Sequence, residues 1–225
     1  MKPLLCSLKA LIFDFDGTLA AAGYDFDAMR AGVRALAADH GVTAADLDGL
    51  YVLEAVARAA DLIGRETLAG RAFRESAERL ILDLELRGAR HASLLPGVEP
   101  ALAALRRAGL RIAVVTRNSH AAVDTIAGVA GLACDAFLTR EETPRVKPHP
   151  EHLLRALDAV GADPQHAAMV GDHPMDVTAG KAAGVTTIGV LTGAGTRESL
   201  AAAGADLIVG SVVELAPMLT GAADD

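Results

Sequence analysis

Short apolar runs alternate with amphipathic stretches along most of the chain. The first run, residues 10–15, ends at an Asp-Gly pair, which is typical of a buried strand that stops at a turn. Later runs of the same kind lie at 112–115, 167–170, 186–190 and, more weakly, 206–209. Helical patterns lie between them at 98–108, 150–160 and 175–183. Because the runs do not alternate apolar with polar residues, they predict a parallel sheet covered by helices on both faces.

Residues 26 to about 90 break this alternation. Apolar residues recur there at helical spacing, in Met29, Val33 and Leu36 and again in Phe73, Ala77, Leu80 and Leu84. The stretch 44–63 is also helical in composition. No strand-like run interrupts this segment, and it is too long for a simple crossover between strands. The sequence therefore predicts a helical subdomain inserted after the first strand.

The composition is that of a globular protein that can bury a core, with 52% hydrophobic and 22% charged residues among 225. The net charge is −8, from 29 acidic and 21 basic residues. No run of Lys and Arg offers a track for nucleic acid, so we expect no nucleic-acid partner. Since the acidic balance repels anions at long range, a phosphate substrate would need a locally positive site.

The cysteine count and the hydropathy pattern bear on location. Cys6 and Cys134 are too few for a disulfide framework, and we expect reduced thiols. The first apolar stretch is too short for a signal peptide, and no apolar run is long enough to cross a membrane. We therefore expect a cytoplasmic protein without a membrane partner. The sequence carries no signal for the oligomeric state.

Asp14 and Asp16 are the strongest chemical signal. Two carboxylates two residues apart leave the predicted strand on the same side, and Gly17 then lets the backbone turn. Like charges this close disfavour each other unless a cation lies between them, and Mg²⁺ prefers carboxylate, water and phosphate oxygens. With a metal in place, Asp14 can attack phosphorus while Asp16 handles the proton. The alternative is an Asp-Gly turn with a solvated acidic pair.

Thr116, Arg117 and Asn118 directly follow the apolar run at 112–115. A hydroxyl group and backbone N–H groups at a strand-to-helix turn can hold phosphate oxygens, helped by the helix N-terminus. The alternative is a helix cap, in which a Thr, Asn or Ser side chain opens the helix that starts near Ser119.

Lys147 lies in a loop between two prolines, just before a predicted helix. Lysine is scarce in this chain, and the others are Lys2, Lys9 and Lys181. A compact ammonium group here can neutralise a phosphate and an attacking carboxylate. The alternative is a solvated loop lysine. The neighbouring His149 is interpreted as a helix-start residue.

Asp172 and Asp176 follow the run at 167–170 in a Gly-Asp-x-x-x-Asp pattern. Asp172 is placed to complete a metal site with the first pair. Asp176, one helical turn further on, can hold a metal-bound water or Lys147. The alternative is N-capping, with Asp176 in a first turn where a carboxylate suits the helix dipole. His173 is interpreted as a spectator.

Three of these four signals stand at predicted strand ends. In an open parallel sheet, ligands bind outside the carboxyl ends of the strands. We therefore expect Asp14, Asp16, Thr116 and Asp172 to converge. Each structural alternative is acceptable by itself, but their joint occurrence in this order favours a phosphoryl-transfer site.

With these motifs the chain resembles the haloacid dehalogenase-like hydrolase superfamily over nearly its whole length, most closely its phosphoglycolate-phosphatase-like branch. The resemblance implies a Rossmann-like core of residues 1–19 and 93–225 and a helical cap of residues 20–92 that closes over the site. It implies Mg²⁺ bound by the Asp14 side chain, the Asp16 backbone carbonyl and Asp172. Asp176 is a further candidate in the metal site.

The same resemblance implies roles for the other motif residues. Asp14 would be the nucleophile and Asp16 the acid and base, with Thr116 and Lys147 completing the catalytic set. Gly17, the Arg117 amide and Asn118 are candidates for binding the phosphoryl group.

The cap offers weaker candidates for contact with the substrate. Arg65 resembles a residue that contacts substrate in related mutases and phosphatases, and the alternative is a solvated arginine at a helix start. Tyr24 and Arg30 are weaker still.

Individual residues narrow the expected reaction. Dehalogenases of the superfamily lack the second aspartate, whereas Asp16 is present here. No lysine lies between Lys9 and Lys147 to form the Schiff base that phosphonatases use. The expected function is therefore a Mg²⁺-dependent phosphatase that acts on a small metabolite, phosphoglycolate-like or a sugar phosphate, through an aspartyl-phosphate. A phosphomutase of the beta-phosphoglucomutase type and a catalytically silent binding module are the alternatives.

Overall fold

The computed structural model describes Leu5 and residues 7–21 and 23–221. This part of the chain divides into two compact units. One comprises the described residues before Gly23 together with those from Ala92 onward, and the other is Gly23–His91. Cys134 is a free, partly exposed thiol, while Cys6 lies outside the described residues.

The first unit is built on a parallel sheet. In chain order the strands are β1 (Ala10–Asp14), β2 (Ala20–Ala21), β3 (Ser93–Leu94), β4 (Arg111–Val115), β5 (Ala136–Leu138), β6 (Ala167–Gly171), β7 (Thr186–Val190) and β8 (Leu207–Val209). Six of them form one sheet in the order β5-β4-β1-β6-β7-β8, and every neighbouring pair is parallel. The short strands β2 and β3 pair antiparallel with each other. The predicted parallel sheet is confirmed.

Helices connect the strands of this sheet and also make up the second unit. In the described residues they are α1 (Phe26–Ala38), α2 (Val52–Ile63), α3 (Leu68–Ala89), α4 (Val98–Arg107), α5 (His120–Val123), α6 (Glu151–Val160), α7 (Pro174–Ala183), α8 (Arg197–Ala202) and α9 (Val212–Thr220). None of them is both long and apolar enough to cross a membrane.

β1 is the central strand, and its position sets the location of the polar residues. All five of its residues are buried, so both of its faces are apolar up to Asp14. Asp14 pairs in register with Val115 of β4, and Phe13 pairs with Val170 of β6. The sheet order reverses direction at β1, and ligands of such sheets bind at this switch point. The residues that follow β1, β4 and β6 therefore leave the sheet at the same edge.

The faces of the sheet are covered as the apolar runs predicted. α6 and α7 pack against the central strands in a cluster that includes Ile12, Val115, Leu153 and Met169. α4 contacts β4 and packs against α9. The α/β Rossmann-like fold class is confirmed.

The second unit is a small helical bundle with a core of its own. α1, α2 and α3 contact one another, with Met29, Val33, Phe73 and Ala77 in the buried cluster. Leu36, Leu80 and Leu84, expected on the same faces, are partly buried against it. The stretch 44–63 forms a 3₁₀ helix, Ala44–Leu47, followed by α2 rather than one continuous helix.

The sequence prediction did not include the helices α8 and α9 or three of the short strands. β5 has three residues and β2 and β3 have two each. A two- or three-residue strand is too short to show a period, and each of these gains its hydrogen bonds from a partner distant in sequence.

Candidate active site

Asp14 and Lys147 form a buried ion pair at the carboxyl end of β1. Lys147 Nζ lies 2.5 Å from Asp14 Oδ1 and 2.7 Å from Asp176 Oδ1. Lys147 is only 1% exposed, and Asp14 and Asp176 are 8% and 1% exposed. The loop before α6 therefore places a buried ammonium group at the end of β1. Lys147 is not a solvated loop lysine.

Burial dominates the ionisation of these groups. It raises the pKa of Asp14 to about 6, assisted by the charge of Asp172 and opposed by Lys147. It also raises the pKa of Asp176 to about 6. Burial by itself would lower the pKa of Lys147, but the charges of Asp14 and Asp176 outweigh it and the pKa is raised. One ammonium group is thus too little positive charge for the carboxylates around it.

Asp172 completes a cluster of carboxylates with Asp14 and Asp176. One carboxylate oxygen from each of the three lies within 4.8 Å of the others. Burial and then the charge of Asp176 raise the pKa of Asp172. Two carboxyl groups this close share either a proton or a cation, so the cluster fits a hard divalent ion.

Asp16 is held by two donors that follow β4. Thr116 Oγ1 and Asn118 Nδ2 donate to Asp16 Oδ2 at 2.9 and 2.7 Å. In the described part of the chain the other oxygen, Oδ1, is buried without a hydrogen-bond partner. Burial, followed by the charge of Asp14, raises the pKa of Asp16 to about 7. Among the described residues, hydrogen bonds thus hold one oxygen of this carboxyl group, while the other oxygen is buried without a partner.

Gly17 brings the backbone close to the carboxylate cluster. Its φ of +82° and the 2.7 Å between an added Cβ and Asp172 Oδ2 both require glycine. Its N–H donates to the carbonyl of Ala20 at 2.8 Å, and its carbonyl accepts from Thr192 Oγ1 at 2.6 Å. The Gly17 amide is therefore part of the turn, and its phosphate-binding role stays a prediction.

The turn after β4 contains a helix cap, as the structural alternative for this segment expected. Ser119 caps α5, with its side chain accepting from the Ala122 N–H at 3.2 Å. Thr116 and Asn118 are therefore free of capping and point to Asp16. The Arg117 guanidinium donates to the Lys147 carbonyl and thus braces the lysine loop, while its amide remains a candidate for phosphate binding.

His173 has a structural role that the sequence interpretation missed. Its Nδ1 caps α7 by accepting from the Met175 N–H at 3.1 Å. The His173 N–H in turn donates to Asp176 Oδ2 at 3.1 Å. Asp176 thus lies in the first turn of α7 and also contacts Lys147, the partner that the sequence suggested for it.

The candidate substrate-contacting residues of the helical unit interact with nearby side chains. Arg65 donates to both carboxylate oxygens of Asp61, at 2.7 and 3.0 Å, and Arg30 pairs with Asp27 at 2.6 Å. Tyr24 stacks edge-on against Phe26, with ring centroids 6.0 Å apart. Their contact with substrate stays a prediction.

The structure adds two contacts to Asp172 that the sequence analysis did not predict. Thr18 donates to Asp172 Oδ1 at 3.1 Å, and the loop 191–195 reaches the other oxygen of the same carboxylate through the Ala194 N–H at 2.8 Å. Two glycines and a threonine directly after β7 were the available signal for this loop. His152 is fully buried in the first turn of α6, and the sequence analysis did not single it out.

The burial of His152 predicts an acid sensitivity of stability. Burial, and then the charge of Lys147, lower the pKa of His152 to about 3, against about 6.5 in an unfolded chain. The unfolded state therefore binds more protons below about pH 6.5, and stability falls as pH falls. As the pH falls from about 7 to about 5, protonation of His152 in the unfolded chain should lower the free energy of unfolding by about 2 kcal/mol. Urea unfolding of wild type and His152→Leu across this range measures the difference.

The control for this experiment is the adjacent buried residue Leu153. Leu153→Ala should lower the unfolding free energy by about 2–5 kcal/mol at every pH, because no proton is involved. Wild type and His152→Leu showing the same pH dependence would contradict the prediction.

Comparison with known proteins agrees with this fold. The chain belongs to the haloacid dehalogenase-like hydrolases, and the model of that family matches residues 8–184. The chain is 31% identical over 232 aligned positions to the N-acetylmuramic acid 6-phosphate phosphatase of Pseudomonas aeruginosa, with 97% of each chain covered. The predicted family resemblance is confirmed.

Other relatives match over a shorter stretch. The chain is 36% identical over 132 residues to a plasmid-borne phosphoglycolate phosphatase of Cupriavidus necator, which covers 58% of this chain and 57% of that relative. The chain thus spans little more than half the length of that relative. Among solved structures, a hydrolase from Pseudomonas syringae superposes with a TM-score of 0.70 at 20% identity, covering 96% of this chain and all of that one. At this identity the likeness supports the fold.

Proposed function

We propose that this chain is a Mg²⁺-dependent phosphatase that hydrolyses a small phosphate monoester through an aspartyl-phosphate on Asp14. The observation that carries the proposal is the buried Asp14 carboxylate at the end of β1, with Lys147 Nζ 2.5 Å away and a carboxylate oxygen of Asp172 within 4.8 Å. A desolvated carboxylate beside a fixed ammonium group can attack phosphorus while positive charge meets the phosphoryl oxygens.

The donor set fits Mg²⁺. The clustered atoms are carboxylate oxygens, which are the hard ligands that Mg²⁺ takes together with water and phosphate. Asp14 and Asp172 would hold the ion with their side chains and Asp16 with its backbone carbonyl, while Asp176 is engaged with Lys147. When bound, the ion supplies positive charge that polarises the phosphoryl group and offsets the repulsion between Asp14 and the anionic substrate.

The first half of the reaction transfers the phosphoryl group to Asp14. A carboxylate oxygen of Asp14 bonds to phosphorus as the bond from phosphorus to the leaving oxygen breaks. Asp16 gives the proton on Oδ1 to that leaving oxygen, so the product departs as an alcohol. The hydrogen bonds from Thr116 and Asn118 to Oδ2 orient the Asp16 carboxyl group for this transfer.

The second half releases phosphate. Asp16, now ionised, takes a proton from water, and the water oxygen bonds to phosphorus as the acyl-phosphate bond breaks. This regenerates the Asp14 carboxylate and protonates Asp16 again. Lys147 stays paired with Asp14 and Asp176 and keeps the nucleophile in place through both steps.

The substrate class follows from the relatives rather than from the site. Their names specify phosphoglycolate and N-acetylmuramic acid 6-phosphate, both small phosphate monoesters. We propose a substrate of this class for the chain. We also propose that the helical unit Gly23–His91 is the cap that selects the substrate, with Arg65 as the first residue to test.

Removal of the metal provides the test of the proposed function. Phosphate release from a panel of phosphoglycolate, sugar phosphates, N-acetylmuramic acid 6-phosphate and pyrophosphate should require Mg²⁺. We expect EDTA to lower the rate by on the order of 10²–10³-fold, because the bound charge is worth several kcal/mol in the transition state. Added Mg²⁺ should restore it.

The other outcomes separate the alternatives. Interconversion of sugar-phosphate isomers with no free phosphate would show a phosphomutase instead. Phosphate release that EDTA leaves unchanged would contradict the metal dependence. Binding of phosphate esters without turnover of any panel member would indicate a catalytically silent module.

A further inference from the structure

The loop 191–195 after β7 joins two parts of the candidate metal site. The Ala194 N–H donates to Asp172 Oδ2 at 2.8 Å. Two residues earlier, Thr192 Oγ1 donates to the Gly17 carbonyl at 2.6 Å. The loop thus holds the residue that follows β6 and the turn that follows β1, although it belongs to neither strand.

The backbone of the loop lies so close to Asp172 that a side chain would not fit between them. A Cβ added to Gly193 would lie 2.0 Å from Asp172 Oδ2, and one added to Gly195 would lie 2.0 Å from the Asp172 carbonyl oxygen. Neither glycine has a positive φ that would by itself demand glycine. Close approach to Asp172 is therefore the reason for glycine at these two positions.

Both oxygens of the Asp172 carboxylate are fixed in this way. Thr18 Oγ1 donates to Oδ1 at 3.1 Å and the Ala194 N–H donates to Oδ2. At its first residue the loop is itself anchored, since the Leu191 N–H donates to the Gly210 carbonyl at 3.1 Å. Hydrogen bonds that orient a metal-binding carboxylate raise its affinity for the ion, and losing one commonly costs 10–100-fold.

We propose that the loop 191–195 is a positioning element of the metal site, which holds the Asp172 carboxylate in the orientation that binds the divalent ion. The inference deepens the proposed function and rests on its metal site, but not on the phosphatase chemistry. If the loop only tied strand ends together, its perturbation would change stability and leave metal affinity alone.

Metal affinity in the absence of substrate tests this inference. Mn²⁺ serves as the probe, because free and bound Mn²⁺ differ in their paramagnetic resonance signal. We expect Gly193→Ala to weaken Mn²⁺ binding by about 10–100-fold. Because the added Cβ would also meet the Gly17 Cα at 2.9 Å, the thermal midpoint of the metal-free protein should fall, and the change in metal affinity of the folded variant decides the test. Activity should then be recovered at high metal concentration, so that the metal requirement rises while kcat is kept.

The matched control is Gly131→Ala. Gly131 is exposed, and a Cβ added there would meet only Glu99 Oε1, at an ordinary 3.7 Å. This variant should bind Mn²⁺ as wild type does. Ala194→Pro is the second test variant, since proline removes the N–H that Asp172 accepts from, and it should weaken binding as Gly193→Ala does.

The possible outcomes separate the positioning role of the loop from the proposed phosphatase reaction. Wild-type affinity in a folded Gly193→Ala or Ala194→Pro variant would overturn the positioning role. A wild-type protein that binds Mn²⁺ but hydrolyses no ester would overturn the phosphatase and leave the loop inference standing, provided that Gly193→Ala binds more weakly. Failure of the wild type to bind Mn²⁺ would overturn both.

Discussion

Asp14→Asn should lower phosphate release by on the order of 10⁴-fold or more, because the amide is not a nucleophile and the acyl phosphate has no other oxygen on which to form. Acid-quenched wild type should carry an aspartyl-phosphate formed during turnover. Borohydride should reduce its acyl carbon to an alcohol with release of phosphate, which leaves homoserine at position 14. The variant should carry no aspartyl-phosphate. Intact-mass analysis of quenched samples measures this directly.

The same substitution should not harm the fold. Burial already raises the pKa of Asp14 to about 6, so the charged form is held at a cost, and a neutral amide of the same shape removes it. The metal-free variant should therefore unfold at the same temperature as wild type or higher. Asp83→Asn, exposed on α3, is the matched control and should keep full activity. Phosphoryl-enzyme formation by Asp14→Asn would contradict the assignment of the nucleophile.

Lys147→Met should lower both stability and turnover. The ammonium group is 1% exposed and pairs with Asp14 and Asp176 at 2.5 and 2.7 Å. Removing it leaves buried carboxylates without their partner, which costs about 3–5 kcal/mol. The rate should fall by about 10²–10³-fold, because a fixed positive charge at the phosphoryl oxygens is lost. Urea unfolding and phosphate release measure the two effects.

Two further variants separate charge from misfolding. Lys147→Met combined with Asp176→Asn removes one of the stranded carboxylates, so it should recover stability without recovering activity. Lys181→Met breaks a pair of the same length, 2.5 Å to Asp206, in which the lysine side chain is 43% exposed. Exposed pairs contribute about 0–1 kcal/mol, and this variant should differ little from wild type. An equal loss in Lys147→Met and Lys181→Met would contradict the buried-charge argument.

The sequence predicted the sheet and the convergence of the candidate site residues because short local segments indicate both. β1 is apolar on both faces, which indicates a central strand. It ends at two aspartates, which indicates the end of the sheet at which a ligand would bind. Thr116 and Asp172 each follow an apolar run in the same way, and parallel strands bring their ends together.

What the sequence could not predict depends on contacts between residues distant in the chain. β5 exists because residues 136–138 pair with β4, and three residues carry no period of their own. Nothing local to Thr116 or Asn118 shows that both donate to Asp16. The loop 191–195 looks like an ordinary turn in sequence, because its role depends on the position of Asp172 after a different strand. The lowered pKa of His152 depends first on its burial and then on the charge of Lys147, and neither is visible in the local sequence.

The central position of β1 also bears on how the molecule acquires its activity. The contacts that assemble the site join residues far apart in the chain: 133 positions separate Asp14 from Lys147, 154 separate Thr18 from Asp172, and 100 separate Asp16 from Thr116. Such pairings must overcome the entropy of closing long loops before they contribute any stability. The site therefore has no local precursor in a partly synthesised or partly folded chain. The candidate active site is therefore complete only after β6, the last strand to pair with β1, has joined the sheet.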